Sequence, residues 1–149
     1  MKKLFELYQS IVDKMLCYFT PLLLLFTRLW VASIFLKSGY LKITTWDSTL
    51  YLFEEEYQVP IIPWELAAYL GTAAELILPI FIILGLLTRP MSVALFAVNA
   101  TAVISYPVLW EGGFYDHQLW GAMILMNIVW GGGAISADHL LKKRFTSAK

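Results

Sequence analysis

The sequence predicts an all-α integral membrane protein: a four-transmembrane-helix bundle with an N-terminal amphipathic helix and both termini cytoplasmic. Three observations carry the prediction. Hydrophobic residues make up 59 % of the 149 positions and charged ones 15 %, whereas a soluble globular chain carries about 25 % charge. Four apolar runs each approach the ~20 residues that a helical span needs. The charges also alternate in sign from one connection to the next. Lys2, Lys3, Lys14, Arg89, Lys142, Lys143, Arg144 and Lys149 fall in the termini and the middle connection, and Asp47, Glu54, Glu55, Glu56, Glu65, Glu111 and Asp116 in the other two. Excess Lys and Arg in short loops marks the cytoplasmic side.

The elements follow in order within a single membrane domain, 1–149. Residues 1–17 form an interfacial helix, with Leu4, Tyr8, Ile11 and Met15 on one face, suited to the membrane surface or to the inner end of the bundle. Residues 18–138 hold the bundle, with spans near Phe19–Tyr40, Trp64–Leu87, Pro90–Trp110 and Gln118–Ala137. The first run starts late, lacks a small-residue cleavage site and precedes further spans, so it is expected to be a retained span and not a cleavable signal peptide. Pro21 and Pro90 suit first turns, and Pro79 predicts a kink in the second span. In the long connection, Asp47 or Ser48 can cap a short helix over Thr49–Tyr57, with Trp46, Leu50, Phe53 and Tyr57 on its apolar side. Ser136 can cap a last helical turn leading into a basic cytoplasmic tail, 139–149.

Several chemistries are excluded. A lone Cys17 permits no internal disulfide, CxxC pair or thiolate cage. His117 and His139 fall on opposite sides of the membrane, so no haem or metal centre is expected. No basic stripe suits nucleic acid.

The informative residues are charges within apolar runs. Arg28 falls about halfway along the first span and Glu75 about halfway along the second. An isolated charge at the bilayer centre costs ~2.5–3.5 kcal/mol on insertion scales, so the two are expected to face inward and meet as a buried Arg/Glu pair. That pair serves either helix register alone or a ligand or proton site. Lys37, on the opposite helix face from Arg28, is expected to snorkel outward or to meet an acidic partner at the interface. Arg28, Phe35, Gly39 and Lys42 share a helical face, whose outer end places Lys42 within reach of Asp116, His117 or Glu54–Glu56. Asn99 and Asn127 are polar groups turned inward, suited to interhelical hydrogen bonds. Asp116 and His117 form either a helix-entry cap or a proton relay at the outer mouth, since imidazole titrates near neutrality.

The stretches "RLWVASIFLKSGYLKI", "AAELILPIFIILGLLTRP", "NATAVISYP" and "DHQLWG" together resemble the DoxX-like family of small bacterial inner-membrane proteins. The likeness runs from about Leu22 to Asp138. It implies a four-helix bundle associated with quinone-linked redox systems, and its polar positions match Arg28, Lys42, Glu75, Asp116 and His117. A branch with wording close to "TWDSTLYLFEEEYQVP" accompanies genes for copper-binding modified peptides, and distant relatives act as assembly factors. Two functional expectations follow. One is a redox-system component binding a quinone or similar lipophilic ligand through Arg28, Glu75, Lys42 and Asn99, with Asp116 and His117 as proton relay. The other is a non-catalytic membrane partner or assembly factor. Lipid, and either a protein partner or a homo-oligomer, are the expected contacts; no residue set identifies a catalysed reaction.

Overall fold

The computed structural model describes residues 1–146, so Lys149 of the expected basic tail lies outside the described residues. Seven helices follow in order among the described residues: α1 (Lys2–Thr44), α2 (Trp46–Glu55), α3 (Trp64–Leu84), α4 (Thr88–Ser105), α5 (Leu109–Gly112), α6 (Phe114–Trp130) and α7 (Ala137–Thr146). There is no strand among the described residues. Helix α1 packs on α3 and α6, α3 on α4, and α4 on α6, which closes a ring of four helices. The ring is held by Val31, Phe35, Ile82, Leu95 and Ile124, all buried. A smaller cluster, Phe53 with Ala67 and Ala68, seats α2 across one end of α3.

The polarity of this bundle is inverted relative to a soluble protein. Its outer faces expose Leu23, Phe26, Leu29, Ile77, Ile80, Leu125 and Val129, whereas Arg28, Glu75, Ser92, Asn99 and Asn127 are buried. Water penalises that arrangement and hydrocarbon favours it. Helices α1 and α3 are long and apolar enough to cross a membrane. Helices α4 and α6 have 18 and 17 residues.

Element boundaries differ from the sequence expectation in informative ways. No break separates an interfacial helix 1–17 from the first span, because α1 runs unbroken through Pro21. Up to Phe19 it is almost wholly exposed among the described residues, Leu4, Tyr8, Ile11 and Met15 included. Proline costs a helix one N–H and a steric contact, which an apolar, well-formed helix on both sides tolerates. Helix α2 starts at Trp46, earlier than the expected Thr49, and no side chain caps it. Helix α3 stops at Leu84, where Gly85 takes the left-handed conformation (φ 65°). Leu86 N–H then donates to Phe81 O at 3.0 Å, the closure that satisfies orphan carbonyls at a helix C-terminus. The third run ends at Ser105 and the fourth at Trp130, well short of Trp110 and Ala137. Gly131 and Gly133 both have positive φ in the turn that follows. Ser136 caps α7 as expected, accepting from His139 N–H at 3.2 Å.

Candidate functional site

Helices α1 and α3 run antiparallel, and Gly39 sets how closely they approach. A Cβ at that position would lie 2.9 Å from Leu76 Cγ and 3.1 Å from Glu75 Cβ. With hydrogen there instead, Lys42 reaches across the seam: its Nζ donates to Glu75 Oε2 at 2.7 Å and Oε1 at 3.0 Å. A further donation goes to Ser38 Oγ at 2.7 Å, one turn back along α1. The two charged side chains are 14 % and 10 % exposed. Removing one partner of such a pair typically costs ~3–5 kcal/mol because the other charge is stranded.

This pair corrects the expected one. Arg28 does not meet Glu75. Side chains on a helix lean towards its N-terminus, so Arg28 reaches to the end of the bundle that carries the α3–α4 and α6–α7 turns (the inner end), away from Glu75. Its guanidinium donates to Ile82 O at 3.4 Å, to Ile83 O at 3.5 Å and to Ile135 O. By the same rule Lys42 leans inward and Glu75, on the antiparallel helix, leans outward, so these two converge. Lys42 therefore meets neither Asp116, His117 nor the Glu54–Glu56 ridge.

Arg28 is wholly buried and acts as a cap for α3, placing positive charge at the negative end of a helix. Gly85 suits this clamp twice, since a Cβ there would collide with the Arg28 guanidinium and with Ser136. Asp138 completes it: its carboxylate accepts from Leu87 N–H and Thr88 N–H at 2.8 Å each, and its own N–H donates to Gly85 O at 2.9 Å. The "GLLTRP" turn is thus built around Arg28 and Asp138.

The Lys42–Glu75 pair borders a cavity of about 370 Å³ between α2, α3 and α4. Ala67, Gly71 and Ala74 of α3 and Ala97, Val98 and Ala102 of α4 line it with small or apolar groups, and Phe53, Tyr57 and Val59 close it over. Leu70, Ala97 and Thr101 are exposed along the α3–α4 seam, so the cavity opens towards the apolar outer surface. Ser105 lines it with a buried hydroxyl that has no hydrogen-bond partner among the described residues. Tyr57 is stacked between Phe53 and Tyr106, with ring centroids 4.6 and 4.7 Å away. Burial first, then the charge of Glu75, pushes its phenol up to about 12. Its neighbour Tyr106 donates to Glu56 Oε2 at 2.8 Å. The segment between α2 and α3 is tied down by Gln58 N–H, which donates to Ser105 O at 2.7 Å.

The remaining expected residues lie apart from this cavity. Asn99 and His117 form a reciprocal pair across α4 and α6: Asn99 Nδ2 donates to His117 O at 3.0 Å, and His117 Nδ1 stands 2.8 Å from Asn99 Oδ1. They border a shallow groove with Gly121 and Leu125. Asp116 is exposed in the first turn of α6. Asn127 accepts from Thr27 Oγ1 at 3.2 Å, an interhelical bond. Lys37 is exposed on the outward face of α1. No cluster of His, Cys, Asp and Glu suited to a metal occurs among the described residues.

Sequence reasoning identified Lys42 and Glu75 but missed Ser38, Tyr57 and Ser105 as their companions, and Asp138 in the inner clamp. Ser38 stands one helical turn before Lys42, a spacing that brings side chains together. Tyr57 belongs to the apolar stripe of the outer helix. Ser105 had no local signal, because only the return of α4 beneath Gln58 brings it to the cavity.

An apolar exterior around an interior of paired charges defines a small helical membrane protein with a polar-floored cavity. Residues 23–107, more than half of the chain, match the DoxX family, and the chain belongs to that membrane-protein family. Comparisons with curated proteins and with solved structures returned no match.

Proposed function

We propose that this DoxX protein is a four-spanning component of the bacterial inner membrane that binds a quinone or similar lipophilic molecule within a quinone-linked redox system. Arg28-side loops and both termini face the cytoplasm in this reading. The observation that carries it is the cavity between α2, α3 and α4, apolar over most of its wall and bordered by Lys42 and Glu75. An unpartnered buried Ser105 hydroxyl in that wall fits a ligand with a polar head, since such a group otherwise costs ~1–3 kcal/mol. A bound quinone would supply two-electron, two-proton chemistry. The chain's own residues would hold it: Glu75, Tyr57 and Ser105 at the head, Leu70, Ala74 and Val98 along the apolar body. Arg28 and Asn99, expected at the same site, are assigned to the inner clamp and to the α4–α6 pair.

The test is to purify the protein gently, extract the lipids and quantify quinone per chain by mass spectrometry. Near-stoichiometric quinone that is lost in Ala74→Phe supports the site. No enrichment over bulk membrane lipid contradicts it. A second reading, a non-catalytic membrane partner or assembly factor (for a copper-binding modified peptide among others), is favoured by one observation. The apolar face of α1 around Leu4, Ile11 and Met15 has no partner among the described residues. Site-specific crosslinking from Tyr8 separates the two, since a single protein adduct supports the partner role and lipid adducts alone count against it.

A further inference from the structure

The hydrogen-bond inventory around Glu75 narrows the chemistry of the head group, and this inference rests on the ligand reading just given. An ammonium has three N–H donors and no acceptor. Lys42 commits all of them, to Ser38 Oγ and to both oxygens of Glu75. No donor on Lys42 remains for a ligand carbonyl. An ionised carboxylate is acceptor-only, with about four lone-pair sites, and Lys42 occupies one on each oxygen. The strongest polar group left at the cavity is therefore an acceptor with spare capacity. The hydroxyls of Tyr57 and Ser105 donate or accept equally well, so they follow a head group without selecting it. Anionic heads are disfavoured, since Lys42 is already neutralised and Glu75 repels them.

We propose that the cavity selects a neutral lipophilic molecule whose head group donates a hydrogen bond, a phenol or hydroquinone, over a carbonyl-only head of the same shape, with Glu75 as the accepting group. A carbonyl oxygen turned towards Glu75 meets lone pairs, whereas a hydroxyl makes a charge-assisted bond. Such a bond is worth about tenfold or more in affinity.

The experiment is anaerobic calorimetric titration of the detergent-solubilised chain with decylhydroquinone, decylbenzoquinone and the dimethyl ether of the hydroquinone. The hydroquinone is expected to bind about tenfold more tightly than either of the others. In Glu75→Gln that preference shrinks to about threefold or less, because the amide oxygen is a neutral acceptor. Ala74→Phe, which leaves the ion pair intact, weakens all three. Equal affinity of the wild-type chain for all three probes overturns the donor preference while leaving the cavity reading in place. Absence of binding by all three overturns both. Should Glu75→Gln fail to fold, the comparison of hydroquinone with its dimethyl ether on the wild-type chain decides alone.

Discussion

Lys42 and Glu75 share a short ion pair, Nζ to Oε2 2.7 Å, while Arg28 on the same helix as Lys42 donates to carbonyls at the far end of α3. Two inward-facing cations on one helix, Arg28 buried and Lys42 half-buried, thus have separate jobs. Ile83 and Glu75 are separated by about 12 Å of helix at 1.5 Å per residue, too far for Arg28 to serve both. The polar interior is consequently divided into an inner clamp and an outer cavity floor.

The ion pair gives the first prediction. Glu75→Gln leaves the Lys42 ammonium without its counter-charge and should cost ~3–5 kcal/mol, whereas Lys42→Met combined with Glu75→Gln should recover at least half of that. Thermal unfolding in detergent measures both. Additive losses in the double variant would mean that the two groups do not depend on each other.

Gly39 gives the second. Val at this position places methyl groups against Leu76 and Glu75, where even a Cβ is at 2.9–3.1 Å. The expected cost is ~1–3 kcal/mol from overpacking, together with separation of Lys42 from Glu75. An unchanged midpoint for Gly39→Val would contradict the close approach of α1 and α3.

The inner clamp gives the third. Asp138→Asn should loosen the Leu86–Arg89 turn and lower stability by ~0.5–2 kcal/mol, the usual range for a helix cap. Hydrogen exchange at Leu87 and Thr88 should accelerate, while ligand occupancy per folded chain stays as in the wild type. Loss of ligand in folded Asp138→Asn would tie the clamp to the cavity after all.

Tyr57 gives the fourth. Its phenol ionises at about 12 in the folded chain and near 10 when unfolded, so the unfolded state releases the proton first. The stability linked to this group is complete below about pH 10 and is lost as pH rises through about 12. Tyr57→Phe should flatten that part of the stability profile, and ultraviolet titration should lose its latest tyrosinate step. A profile identical to the wild type would place Tyr57 in water.

Much of this organisation is legible in the sequence. The apolar runs, the apolar outer helix over Phe53, the shared face of Arg28, Phe35, Gly39 and Lys42, and the Ser136 cap all follow from helical periodicity and capping chemistry. The partners of the buried charges do not. Counting residues put Arg28 and Glu75 at one depth, but depth along the backbone is not depth of the charge. Each long side chain leans towards its own helix N-terminus, which moves Arg28 inward and brings Lys42 and Glu75 together. Boundaries were displaced for a related reason, since Gly85 and Gly131 end their helices by positive φ before the apolar runs themselves end. Ser105 and Asp138 depend on chain returns that no local pattern encodes.

The central claim, that the cavity floored by Lys42 and Glu75 holds a lipophilic ligand, is tested most directly by location. A photoreactive azidoquinone irradiated with the protein in native membrane vesicles, followed by peptide mapping, reads it out. The account predicts adducts on Tyr57, on α3 between Ala67 and Ala74, and on α4 between Ala97 and Ser105, all competed away by decylhydroquinone. Adducts confined to the apolar face of residues 1–15 or to the Asn99–His117 groove would contradict it.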